Sequence, residues 1–134
     1  MTMERIRTPN APEAVGAYEQ AVLASGEFVF TAGQIGLTPE GHLAEGIEAQ
    51  TEQTLDNLVA ILGAASCRLV DVVSTRIYAV NEEDAPIVND IFTRRFEGTE
   101  RGAREFVIVK GIPYRQGDNR ALVEMSTIAR VPQR

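Results

Sequence analysis

A single glutamate, Glu124, interrupts the otherwise uncharged run Ala121-Leu122-Val123-Glu124-Met125-Ser126-Thr127-Ile128-Ala129. Alternation along a strand places Glu124 with Leu122, Ser126 and Ile128, and sends Val123, Met125, Thr127 and Ala129 to the other face. If the second set packs on helices, Glu124 points to a face left for another subunit. A partly buried carboxylate there either performs proton chemistry or is paired across the sheet. Arg104 begins the run Arg104 to Val109, read as a neighbouring strand that returns antiparallel to the one carrying Glu124. Arginine is the side chain best shaped to hold a carboxylate by two parallel hydrogen bonds. Arg94, Arg95 and Arg101 lie close by in sequence, so an ordinary surface arginine is the alternative. Tyr18 precedes the first apolar run, as a pocket wall or an amphipathic rim residue. Asn89 falls between Val88 and Ile91, where capping and surface roles are equally ordinary.

Other chemistries are poorly supplied. Cys67, in Ala64-Ala65-Ser66-Cys67, is the only cysteine, and His42, in a glycine-rich turn, is the only histidine. One of each does not make a zinc site in one chain, and Cys67 reads as a small packing residue. There is no phosphate loop, dinucleotide fingerprint or nucleophile elbow. Gly33-Gln34-Ile35-Gly36 has the spacing of an RNA-clamping loop. It follows a β-run and contains no Lys or Arg, so it reads as a turn or a close backbone approach. With 13 basic and 19 acidic residues the formal charge is −6, which argues against a broad nucleic-acid-binding face.

The elements that must position these residues follow from periodicity. The first ten or so residues, ending in Thr8-Pro9-Asn10-Ala11-Pro12, read as an extended arm. Tyr18 to Ser25 reads as a strand, turning through Ser25-Gly26-Glu27 into Phe28 to Ala32. Ile47, Thr51, Leu55, Leu58, Ile61 or Leu62, and Ala65 recur at helical spacing. Ile87, Val88, Ile91, Phe92 and Phe96 do the same, with Asp84 as N-cap and Gly98 as stop. Val70 to Val80 is a strand between the two helices. Arg104 to Val109 and Ala121 to Ala129 close the chain, joined by the turn-rich segment Lys110 to Asn119. The order is β-β-α-β-α-β-β, best satisfied by a two-layer α+β sandwich. Its second sheet face carries apolar residues, so an oligomer is expected. All 134 residues read as one domain. The polar N-terminus, the lack of any apolar run near 20 residues and the lone cysteine predict a cytoplasmic protein without a membrane span.

Taken in order, these residues resemble the Rid (YjgF-type) family of enamine/imine deaminases from about Asn10 to Ala129. The likeness is carried by Asn10-Ala11-Pro12, Gly16-Ala17-Tyr18-Glu19-Gln20-Ala21, Thr31-Ala32-Gly33-Gln34-Ile35 and Ala49-Gln50-Thr51. Leu55-Asp56-Asn57-Leu58, Asp71-Val72-Val73, Val88-Asn89, Ala103-Arg104, Ile112-Pro113 and Val123-Glu124-Met125 continue it. The resemblance implies a chorismate-mutase-like fold, a homotrimer with sites between subunits, and hydrolysis of 2-imino acids to 2-keto acids and ammonia. It also implies that Arg104 clamps the substrate carboxylate and Glu124 positions or activates water. Tyr18, Gly33 and Asn89 would line the pocket with Phe106, and no metal or organic cofactor is implied.

The chain departs from the family pattern at Ala32, where many members have Ser, and at Glu105, commonly Ser or Thr and here followed by bulky Phe106. Its segment from Pro113 to Arg120 is also longer than usual. These departures bear on substrate range. They motivate one rival reading, a trimeric small-carboxylate-binding protein without efficient turnover. An endoribonuclease or translation inhibitor is a second, disfavoured by the acidic charge.

Overall fold

The structure, a computed structural model, describes residues 3–133. Among them the order is β1 (Met3–Ile6), β2 (Ala21–Ala24), β3 (Phe28–Phe30), α1 (Ile47–Ala64), β4 (Val72–Ala79), α2 (Ala85–Arg95), β5 (Ala103–Ile108), β6 (Arg115–Gln116), β7 (Asn119–Arg120) and β8 (Val123–Arg130). Short 3-10 turns precede β4 and α2, and the first of them takes up Val70.

The central sheet runs β3-β8-β4-β5. Both β3 and β4 pair antiparallel with β8, while β4 and β5 are parallel. It follows that β3 and β4 are parallel to each other with β8 inserted between them. Each helix therefore serves as a crossover between parallel strands, which a tight turn cannot provide. Leu55 and Leu58 of α1 and Val88, Ile91 and Phe92 of α2 form one buried cluster with Ile77, Val123 and Met125. One sheet face is thus covered by helices, as the alternation of β8 predicts. The opposite face carries Phe30, Tyr78, Arg76, Val107, Ser126 and Ile128, with Phe30 69% and Val107 46% exposed.

Four expectations need correction. The N-terminal arm contains a strand: β1 pairs with β2 from Met3↔Ala24 to Ile6↔Ala21. Consequently β2 does not form a hairpin with β3, which pairs with β8 instead. The turn-rich segment holds a small hairpin, β6–β7, around Gly117, whose φ of 61° is the left-handed conformation glycine tolerates. Most consequential, β5 does not adjoin β8. Strand β4 lies between them, so Arg104 and Glu124 are not on neighbouring strands.

Polar anchors fix the loops. Gln50 is fully buried in α1, donating to the Arg120 carbonyl at 2.8 Å and accepting from the Leu122 N–H at 2.8 Å. Asn57, one α-helical face further, donates to the carbonyls of Ile35 and Leu37 at 3.1 and 2.8 Å. At the far end of α1, Ser66 takes a φ of 65°. The Cys67 N–H reaches back to the Leu62 carbonyl and the Ser66 N–H to that of Gly63, the paired bonds of a Schellman termination. Leu62 and Cys67 share a buried cluster, the apolar contact that accompanies such an ending. Because Ser66 occupies a backbone conformation suited to glycine, Ser66→Gly is expected to stabilise the protein by about 0.5–1 kcal/mol. A thermal melt checks it, as a rise of a few degrees in Tm.

Candidate active site

Arg104 and Phe106 alternate along β5 on the helix-covered side of the sheet. Arg104 is in register with buried Thr75, and Phe106 with buried Ile77. Glu124 is in register with Tyr78, on the open side. Within one chain, therefore, Arg104 and Glu124 project from opposite faces. Glu105 is turned to the open side with Arg76, away from the guanidinium it follows in sequence.

Around Arg104 the elements assemble a cationic slot. Its guanidinium carbon lies 5.2 Å from the centre of the Tyr18 ring and 5.1 Å from that of Phe92, an attractive arrangement for a cation. Among the described residues no carboxylate pairs with it, and Nη1 is buried without a hydrogen-bond partner. Burial pulls the Arg104 pKa below the ordinary arginine value, while Tyr18 acts in the other direction. The group nonetheless stays cationic at neutral pH. Asn89 lies one turn before Phe92 on α2, and its Oδ1 is also buried without a donor. An unmatched donor and an unmatched acceptor thus occur on elements that share the Phe92 ring. Such groups are costly unless something supplies their bonds.

Tyr18 is placed by a dense set of local bonds. The Glu19 N–H donates to the Gly102 carbonyl at 2.9 Å, tying this segment to the start of β5. The Arg7 guanidinium grips the Glu19 carboxylate through both oxygens at 2.9 and 2.8 Å. Those hydrogen bonds hold the Glu19 carboxyl below its usual range. Gln20 donates to the carbonyl of Pro12 at 2.7 Å. A Cβ at Gly16 would stand 3.2 Å from Arg104 Nη2, so the small residue there leaves the guanidinium its room. A concavity of about 680 Å³ between residues 7 and 20 adjoins this region and shares Tyr18 with the slot.

On the other face, the bonded register of β3 with β8 slips by one residue between Phe30↔Ile128 and Gln34↔Met125. Thr31 bonds to the Thr127 carbonyl at 2.9 Å, and Gln34 and Met125 exchange N–H···O bonds at 2.8 and 2.9 Å. Ala32 and Gly33 are left opposite Ser126 as a β-bulge, a feature often found beside active sites. The bulge brings the Gly33 backbone directly against Glu124. A Cβ at Gly33 would lie 2.8 Å from Glu124 Cδ and 3.1 Å from its Cγ. Gly33→Ala is therefore expected to push the carboxylate aside while leaving the fold intact. A thermal melt should show Tm changed by no more than a few degrees, and any reaction that depends on the placement of this carboxylate should slow by about 10- to 100-fold.

The six residues singled out from sequence thus fall into two groups. Tyr18, Asn89, Phe106 and Arg104 belong to elements on the helix side, and Gly33 and Glu124 meet on the open side. Phe92 and Gly16, both against Arg104, were not singled out as site residues. Phe92 was submerged in the apolar stripe of its helix, although its position one turn from Asn89 is a signal. Gly16 directly precedes the Ala17-Tyr18 pair, where a small residue marks close approach.

This is a mixed α+β chain with two helices against one face of its main sheet, and comparison with known proteins gives the architecture its place. The family model described as Endoribonuclease L-PSP matches residues 8–131. A RutC family protein of Synechocystis, slr0709, is 39% identical over 98% of this chain and 99% of its own. A 2-iminobutanoate/2-iminopropanoate deaminase of Rattus norvegicus is 40% identical over 69% of each chain. Among solved structures, the Rid-family protein YyfA of Yersinia pestis, described as of unknown function, is 39% identical. It superposes with a TM-score of 0.73, covering 97% of this chain and all of that one. The chain belongs to the Rid (YjgF) family.

Proposed function

We propose that this protein hydrolyses 2-imino acids, and their enamine tautomers, to 2-keto acids and ammonia, at a site built between the chains of a homotrimer. The observation that carries the reading is the Arg104 guanidinium, held between two rings with its donors unclaimed by any carboxylate of the described residues. A small carboxylate is the ligand that matches such a fork. Relatives named as 2-iminobutanoate/2-iminopropanoate deaminases, in Rattus norvegicus and Salmonella typhimurium, support the choice of reaction.

The chemistry asks little of the protein. An iminium carbon is already electrophilic, so orientation matters more than a strong nucleophile. Arg104 holds the substrate carboxylate and fixes C2 in front of a water on Glu124. Glu124 takes a proton from that water as its oxygen bonds to C2, giving a carbinolamine. It returns the proton to nitrogen, and as the C–N bond breaks the hydroxyl proton passes back to Glu124, so that a 2-keto acid remains and ammonia carries this proton away as ammonium. Tyr18 and Asn89 line the Arg104 side, Phe106 the same strand face, and Gly33 the Glu124 side.

Because Arg104 and Glu124 project from opposite faces of one sheet, a site using both takes Arg104 from one subunit and Glu124 from the next. The open sheet face with Phe30, Val107 and Ile128 is suited to subunit contact, since apolar patches of several hundred Å² are uncommon on monomers. The same placement favours one alternative: a chain whose Glu124 is never delivered to a neighbour's Arg104 binds small carboxylates without turning them over.

The two readings separate in one assay. An amino-acid oxidase generates 2-iminobutanoate or 2-iminopropanoate in place, and imine loss is followed with and without the protein. Acceleration over buffer supports the deaminase. No acceleration across several imino acids, together with binding of 2-ketobutanoate, leaves the carboxylate-binding protein.

A further inference from the structure

We propose that Phe92 is a positioning residue for Arg104, fixing the plane in which the guanidinium presents its fork to the substrate carboxylate. The inference rests on the reading that Arg104 takes that carboxylate. Arginine is long and rotamer-rich, and a two-bond grip on a carboxylate works only when the guanidinium plane is set beforehand. Proteins commonly set it with an acidic side chain, which consumes the donors and the charge. Among the described residues Arg104 has no such partner. Aromatic faces hold a cation without using its N–H groups, which leaves Nη1 unclaimed here.

The two rings are not equivalent. Tyr18 rides on the irregular segment between β1 and β2, whereas Phe92 belongs to α2 and is 2% exposed. Phe92 is itself stacked on Phe96, with centroids 4.4 Å apart and planes at 18°. Phe96 is also 2% exposed and lies in the main core cluster. Contacts therefore run from Tyr18 through Arg104 and Phe92 to Phe96, whose end of the series is the core. Through Phe92, the orientation of the guanidinium is referred to the rigid packing of α2 on the sheet.

The test compares Phe92→Leu, Phe92→Met and Phe92→Tyr with a core control in the second buried cluster, Leu62→Ala, on preparations that keep the wild-type oligomer by light scattering. Calorimetric titration with 2-ketobutanoate reads binding, and the imine assay reads kcat and KM. Phe92→Leu and Phe92→Met are expected to weaken 2-ketobutanoate about tenfold and to raise KM more than they lower kcat. Phe92→Tyr, which keeps the aromatic face, is expected to stay within about twofold of wild type. Leu62→Ala is expected to lower Tm at least as much as Phe92→Leu does while leaving the dissociation constant within about twofold. Wild-type affinity in both Phe92→Leu and Phe92→Met overturns the inference, as does equal weakening in Leu62→Ala. If the wild-type protein binds 2-ketobutanoate but hydrolyses no imine, the proposed reaction fails while the Phe92 result still decides the positioning role. If it binds no carboxylate, both fail.

Discussion

Arg104→Ala is expected to lower kcat/KM for 2-iminobutanoate by about 100- to 1,000-fold while leaving the oligomer assembled. The size follows from what is removed. A charge-assisted grip on a carboxylate in a partly desolvated slot is worth about 2–5 kcal/mol when one partner is truncated, and each 1.4 kcal/mol is a factor of ten. Stability should fall only by the worth of the two ring contacts, about 1–2 kcal/mol, because the guanidinium makes no ion pair among the described residues and Nη1 has no hydrogen-bond partner. Arg104→Lys is the informative companion. Lysine keeps the charge but has neither a fork nor a flat face to lie between Tyr18 and Phe92. It is therefore expected to recover only a small part of the lost activity. Full activity in Arg104→Lys would mean that charge alone suffices, and the slot geometry would be irrelevant.

Glu124→Gln is expected to lower kcat by about 100-fold or more with little change in the binding of 2-ketobutanoate. Proton transfer by a placed side chain contributes about 10²- to 10⁴-fold, and an amide of the same shape still accepts a hydrogen bond but cannot carry the proton. Its half-buried position against the Gly33 backbone allows the swap without repacking. The pattern is the reverse of that for Phe92, where KM moves first. An unchanged kcat in Glu124→Gln would remove Glu124 as the group that handles the water.

Much of the fold was legible because its signals are local. The spacing of Leu55, Leu58 and Leu62 marks a helix face whatever it packs against, and these residues are buried in α1. The alternation of Val123 and Met125 against Glu124 and Ser126 sorts the two faces of β8 correctly. Asp84 likewise marks the start of α2, although its carboxylate makes no capping bond there. What was misread is non-local. The run Met3 to Ile6 is short and mixed in polarity, and only its pairing with Ala21 to Ala24 makes it a strand. Strands β5 and β8 are adjacent among the long strands in sequence, which suggests a hairpin. The crossover through α2 instead sends β5 beyond β4, and no residue pattern within β5 records that choice. Arg104 and Glu124 could be singled out as candidates from sequence, but their separation onto two faces could not, since it depends on which strand lies between them. The stack of Arg104 on Phe92 was hidden for a related reason: an apolar helix stripe looks the same whether or not one of its rings carries a cation.

That separation makes the central claim testable by mixing subunits. Arg104→Ala and Glu124→Gln chains, each expected to be nearly inactive alone, are combined in equal amounts by co-refolding or co-expression and assayed for imine hydrolysis. If each site takes Arg104 from one chain and Glu124 from its neighbour, about a quarter of the interfaces receive both intact residues, so about a quarter of wild-type activity is expected to return. If both residues act within one chain, every chain carries a defect and the mixture stays as inactive as its parents, which would contradict the intersubunit site.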